Sequence, residues 1–162
     1  MAKEISTAEY RALAELRYLI RKFIREGDAV ARSAGLEPQQ YLLLLAIRGL
    51  PEGEEATIRA VADRLALKHH SAVELIDRLE AHGYVRRIRS RDDRRRVFVS
   101  LLPRGEKLLE QVAQHRISEL RASGTALVNA ISALLESGRP SRTRKAARNF
   151  PERGLEKNRA ER

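Results

Sequence analysis

The sequence predicts a mainly α-helical protein with one small β-hairpin, and three observations support this. Apolar residues recur at three- and four-residue steps through most of residues 7–136, the signature of amphipathic helices. β-branched and aromatic residues gather only around residues 84–101, in YVRRIR and VFVSL. The chain is 43% hydrophobic but only 4% aromatic, without Trp, so aliphatic side chains must fill its core. A length of 162 residues then allows one ordinary domain with an appendage.

Ser6-Thr7-Ala8-Glu9 is a capping-box pattern. Behind it Leu13, Leu16, Ile20, Phe23, Ile24 and Val30 describe one amphipathic helix of about 25 residues that Gly35 ends. Pro38 suits a first helical turn, and YLLLLAIRGL at 41–50 is apolar almost all round, which predicts a helix buried in the middle of the domain. Gly49 and Pro51-Glu52-Gly53 close it. Thr57-Ile58 leads into a short helix with Val61, Ala62 and Leu65 on one face, and a turn at Leu67-Lys68 follows. His69 to His82 is the next helix, with Val73, Ile76 and Leu79 or Leu75 inward and Gly83 as its left-handed cap. Two short helices joined by a tight turn make a helix-turn-helix. The two β-patterned runs flank SRDDRRR and form a hairpin with a basic tip. Pro103 opens a helix that Ser123-Gly124 is expected to break, with a final helix carrying Leu127, Val128, Ile131, Leu134 and Leu135.

The formal charge of +10 points to a polyanionic partner, nucleic acid first. Its distribution is more informative. Residues 137–162 carry nine Lys and Arg against three acids, a net +6, and only Phe150 and Leu155 as large apolar groups, so they are expected to form a disordered basic tail. Residues 1–136 hold the remaining +4, with seven arginines between positions 86 and 96. An anonymous run of this kind is usually a solvated face. Here it lies on a hairpin directly behind a helix-turn-helix, and that context favours duplex DNA. An α-helix fits the major groove, where base edges are distinguishable, and the N-terminal part of the second helix approaches them. Lys68, His69, His70, Ser71 and Glu74 are therefore the candidate base readers, with the hairpin arginines on the flanking backbone or in the adjacent minor groove.

From Leu36 to about Gly105 the chain resembles the multiple antibiotic resistance regulator (MarR) family of winged helix-turn-helix transcription regulators. The resemblance rests on Asp93-Arg94-Arg95-Arg96 followed by Val97 to Leu101 and Gly105, on Ala62-Asp63-Arg64-Leu65, on Leu75 to Val85, and on Pro38-Gln39-Gln40. It implies a homodimer built from N- and C-terminal dimerisation helices, residues 7–33 and 103–136, holding two DNA-binding lobes of about residues 55–101 on one duplex. Those outer segments also carry more apolar surface than a winged helix needs, and a two-fold dimer is the commonest way to bury it. Two-fold symmetry predicts a pseudopalindromic operator with half-sites about one helical turn apart. By resemblance Asp93 orients Arg95 into the minor groove, while Arg91, Arg94 and Arg96 are phosphate partners or alternative tip residues. The bland alternative is that Asp93 only caps the wing turn. Arg78 either pairs with Asp63 or Asp77 or touches phosphate.

Glu74 stands where many relatives have a basic or polar residue, so its carboxylate either accepts from a cytosine amino group or repels phosphate. Leu102 replaces the usual Thr, which removes a side-chain N-cap at a cost of ~1 kcal/mol. His69 and His70 make a poor zinc site, because neighbours on a helix point about 100° apart and no third ligand is in view. No metal and no cofactor are expected. Family members often respond to small phenolic or amphipathic ligands in a cleft, which Tyr10, Tyr18, Phe23 and Tyr41 would line unless they are simply core. The ligand-binding residues stay unassigned.

Other classes are less well supported. Without cysteine there is no disulfide framework, thiolate metal site or thiol redox sensor. No glycine-rich phosphate loop, GxSxG or His/Glu metal motif points to an enzyme. No run approaches the roughly 18 uncharged apolar residues of a membrane span, and Arg11, Glu15 and Arg17 interrupt any leader-like stretch. A cytoplasmic repressor is thus expected, with a sequence-independent nucleic-acid-binding or architectural protein as the alternative.

Overall fold

The computed structural model describes residues 4–90, 93 and 96–137. Five helices and one hairpin follow in the order α1 (Thr7–Ser33), α2 (Pro38–Arg48), α3 (Ile58–Arg64), α4 (His69–Ala81), β1 (Val85–Arg89), β2 (Val97–Leu101) and α5 (Pro103–Ser137). The fold is mainly α with an antiparallel two-stranded wing, as the periodicity predicts.

The capping box forms: the Ser6 N–H donates to Glu9 Oε2 at 2.7 Å, and the Glu9 N–H donates to Ser6 Oγ at 3.2 Å. Thr57 caps α3 by accepting from the Ala60 N–H at 3.1 Å. The turn between α3 and α4 closes through the Leu67 N–H on the Ala62 carbonyl, and Ala66 sits at φ 52°. A left-handed alanine costs on the order of 1 kcal/mol, so the surrounding contacts dictate this turn. Gly83, at φ 68°, ends α4 as expected, with the Tyr84 N–H returning to the Leu79 carbonyl.

The hairpin pairs Val85 with Leu101, Arg87 with Val99 and Arg89 with Val97, and the Ser90 N–H donates to the Arg96 carbonyl at 3.0 Å to close its tip. A bridge the sequence does not announce joins Thr57 to Phe98, with the Val99 N–H on the Ala56 carbonyl at 2.8 Å. It stitches the wing to the chain entering α3. Leu36, Leu43, Leu44, Val61, Ile76, Leu79, Val85 and Val112 are fully buried, so the core lies where α2, the helix-turn-helix and the hairpin meet α5. Gly105 is obligatory there: a Cβ would stand 2.2 Å from the Tyr84 carbonyl oxygen.

Three expectations are corrected. Ser123-Gly124 does not break the C-terminal segment, and α5 runs unbroken from Pro103 to Ser137. The Ser123 hydroxyl donates back to the Glu119 carbonyl at 2.9 Å, and a lone helical glycine costs only ~1 kcal/mol, too little to stop a helix with an apolar stripe on both sides. In α4 it is Ala72, not Val73, that lies inside with Leu75, Ile76 and Leu79, because a methyl fits where the helix comes closest to its neighbours. The second helix is not buried all round: Tyr41, Leu43, Leu44 and Ala46 face the core, while Leu42 and Leu45 face outward. The tail beyond Ser137 lies outside the described residues, as do Arg91, Arg94 and Arg95 of the wing tip.

Candidate nucleic-acid interface

Burying Ala72, Leu75, Ile76 and Leu79 turns the opposite face of α4 outward. Lys68, His69, His70 and Glu74 are exposed on its first two turns and Ser71 is half-buried, so the five form one polar edge. Lys68 occupies the N-cap without a side-chain cap bond, which leaves the first-turn N–H groups directed at whatever lies in front of the helix.

The wing stands beside that edge. Asp93 lies in the described tip, where its N–H donates to Ser90 Oγ at 3.3 Å and its carbonyl accepts from the Arg96 N–H at 2.9 Å. Arg96 is engaged by the Glu55 carboxylate, and its guanidinium carbon lies 5.4 Å from the centroid of the Phe98 ring.

The basic run divides into two kinds of arginine. Arg86 and Arg89 are exposed, but Arg87 turns inward. Its guanidinium pairs with Asp77 and Glu80 at 2.7 Å each and donates to the Val73 carbonyl at 3.2 Å, while its N–H donates to Glu80 Oε1 at 2.9 Å. Arg87 thereby ties β1 to the outer face of α4. Arg78 takes no such role among the described residues, where it donates to its own helix, to the Glu74 carbonyl at 3.4 Å. Asp77 belongs to Arg87, and Asp63 lies 3.8 Å from Arg59. The acids three residues apart on α4 hint at this clamp, but the spacing alone does not say which arginine closes it.

A second site lies away from this surface. A cavity of about 320 Å³ opens between α1, α2 and α5, walled by Phe23, Ile24, Tyr41, Leu42, Leu45 and Ile117. Of the four aromatic residues expected at a cleft, Phe23 and Tyr41 line it, whereas Tyr10 and Tyr18 are exposed elsewhere on α1. Arg116, which nothing in the sequence singles out, closes one side. It is buried, ion-paired with Glu119, donates to the Phe23 carbonyl at 2.7 Å, and stacks 3.9 Å from the Phe23 ring centroid. Gly27 leaves room for it, since a Cβ there would lie 3.0 Å from the guanidinium. Burial pushes the Tyr41 phenol up from its ordinary value of 10.0, and the Arg116 charge opposes that shift.

Known proteins are similar to this chain in sequence or in fold. A family profile described as MarR family matches residues 34–96. The HTH-type transcriptional regulator YsmB of Bacillus subtilis is 27% identical over 106 residues, 65% of this chain and 70% of its own. The solved structure of AbsC, a MarR family transcriptional regulator from Streptomyces coelicolor, superposes with a TM-score of 0.63 at 21% identity, over 84% of this chain and 97% of that one. NadR, solved in complex with 4-hydroxyphenylacetate, superposes with a TM-score of 0.61 at 23% identity, over 85% and 92%. The last two are likenesses of fold.

Proposed function

We propose that the chain is a DNA-binding transcription regulator of the MarR family, whose profile matches residues 34–96, and that it works as a homodimeric repressor that occludes a promoter and is released by a small amphipathic ligand. The observation that carries the DNA reading is the exposed polar edge of α4 beside a basic hairpin. In this reading α4 enters the major groove with Lys68, His69, His70, Ser71 and Glu74 toward the bases. The wing, with Arg91, Asp93, Arg94, Arg95 and Arg96, reaches the adjacent minor groove and its phosphates. Residues 7–33 and 103–136 form the dimer module, and two lobes of about residues 55–101 meet a pseudopalindromic operator. Such a regulator works where the chromosome is, in the cytoplasm.

The release mechanism draws on the cavity. Its apolar walls suit a small aromatic molecule, and NadR, of the same fold, binds one. Because α2 leads into the lobe and packs on its helices, while α1 and α5 form the dimer module, a ligand wedged among the three helices changes the angle between lobe and module. The spacing of the two recognition helices changes with it.

Selecting bound fragments from genomic DNA, with and without small phenolic compounds, tests this directly. One recurrent pseudopalindrome, preferred at least ~10³-fold over random competitor and lost on adding a compound, is expected. Uniform recovery of fragments would instead favour a sequence-independent coating protein. Arg95→Ala is expected to weaken binding to the selected site by about tenfold or more without changing the melting temperature. An unchanged footprint and affinity would remove Arg95 from the interface.

A further inference from the structure

A recess of about 360 Å³ lies between α3, the first residue of α4 and the wing, lined by Thr57, Ile58, Arg59, His69, Arg96 and Val97. We propose that it seats one backbone phosphate of the bound duplex, held by Arg59 and Arg96, and that Glu55 holds Arg96 in the phosphate's place until DNA arrives. The proposal rests on the reading that α4 and the wing enter neighbouring grooves.

Placement comes first. Neighbouring major and minor grooves are separated by a single sugar-phosphate strand. A protein with a helix in one and a hairpin in the other must let that strand pass over the junction between them. The recess is that junction, bounded by His69 on the helix side and by Arg96 and Val97 on the wing side.

Its chemistry matches. Among the described residues the lining offers two guanidinium groups and an imidazole and no carboxylate. The acids stand at its margin, one per arginine: Glu55 on Arg96, and Asp63 at 3.8 Å from Arg59. Both pairs are exposed, with half or more of every side chain open to solvent, so neither is a strong pair and each is open to exchange. Thr57 Oγ1 accepts from the Ala60 N–H, which leaves its hydroxyl hydrogen to donate. The Phe98 ring, whose centroid lies 5.4 Å from the Arg96 guanidinium carbon, keeps a hold on the cation after Glu55 is released. Glu55 lies 41 residues from Arg96 and is brought to it by the Thr57–Phe98 bridge. It keeps an unpaired cation off the surface of the free protein and competes with DNA for it.

The test uses the full chain and the operator recovered by genomic selection, with each backbone phosphate replaced in turn by an uncharged methylphosphonate. Wild-type protein is expected to lose about tenfold in affinity at one such position in each bound half-site. Arg59→Ala and Arg96→Ala are expected to become insensitive to that same position, and each to reduce the slope of log affinity against log salt by about 0.9. Glu55→Gln is expected to bind two- to fivefold more tightly, roughly the worth of an exposed ion pair, and to have no effect in an Arg96→Ala background. If the operator is selected but no phosphate loses its influence in Arg59→Ala or Arg96→Ala, the seat is wrong and the DNA reading stands. A Glu55→Gln gain that persists without Arg96 overturns the role given to Glu55. If no operator is selected at all, the sequence-specific reading falls, and the seat, which is placed on that operator, falls with it.

Discussion

Arg87 sits in the middle of the arginine run at 86–96 and turns inward onto α4. Two carboxylates of α4 and the Val73 carbonyl take up its guanidinium, so its charge is spent on setting the angle between the recognition helix and the wing. Arg87→Ala is therefore expected to lower stability by ~1–2 kcal/mol, a value discounted because Asp77 and Glu80 are partly open to solvent. It should leave the salt dependence of DNA binding unchanged, and chemical denaturation with a salt titration on one duplex checks both. Arg87→Lys is not expected to rescue the clamp, since one ammonium cannot reproduce the guanidinium fork. A salt slope reduced by about 0.9 with stability intact would make Arg87 a phosphate ligand instead. Alternation along β1 sets Arg87 on the opposite face from Arg86 but on the same face as Arg89, so nothing in the sequence separates those two, and only the fold shows that Arg87 is the one the acids of α4 meet.

Elements were legible where local rules govern them. The Ser6–Glu9 box, Pro38, Thr57, Gly83 and Pro103 mark helix ends by hydrogen-bonding or dihedral requirements that hold in any context, and the structure has ends at all five. The rules failed where tertiary packing outweighs a weak local preference. Ser123-Gly124 was such a place, because the stripe that continues through Leu127 outweighs one glycine. The turn at Ala66 was another, since an alanine gives no notice of a positive φ. Pairings between distant segments, Glu55 with Arg96 and Arg116 with Phe23, leave no trace in local spacing at all. Gly105 belongs to a third kind, visible in the sequence as part of the wing-exit pattern but explained only by the fold. Gly105→Ala is expected to cost at least ~3 kcal/mol or to prevent folding. Its Cβ would press on a backbone carbonyl that already accepts from the Leu102 N–H at 2.9 Å, and neither partner can move alone. Thermal melts against Gly124→Ala, whose Cβ meets nothing nearer than 3.9 Å, separate this steric demand from a general intolerance of alanine.

At the scale of the molecule, the apolar stripes of α1 and α5 are only half used. The two helices pack on each other, yet Tyr10, Leu13, Tyr18 and Ile24 on α1 and Ile117, Val128, Ile131 and Leu135 on α5 remain exposed. Single exposed apolar residues are ordinary; two long helices presenting them in register need a partner, and a second copy is the economical one. Val128 and Leu135 are 61% and 69% exposed, so replacing both by Glu burdens the single chain little. In a dimer the same change buries charge against charge, and light scattering is expected to shift from twice the chain mass to once. A wild-type protein that stays monomeric at micromolar concentration would overturn the dimer. The charge balance supplies the last expectation. Residues 137–162 carry +6 of the +10 and follow, in the sequence, the lobe proposed to bind DNA. Charge without a fixed place among the bases acts through counterion release, which weakens with salt and ignores sequence. Deleting residues 138–162 is therefore expected to lower affinity for operator and random duplex alike and to flatten the salt dependence, with the selected sequence unchanged. A shifted sequence preference after truncation would show that the tail reads bases, and the proposed division between a reading lobe and a charge-only tail would fail.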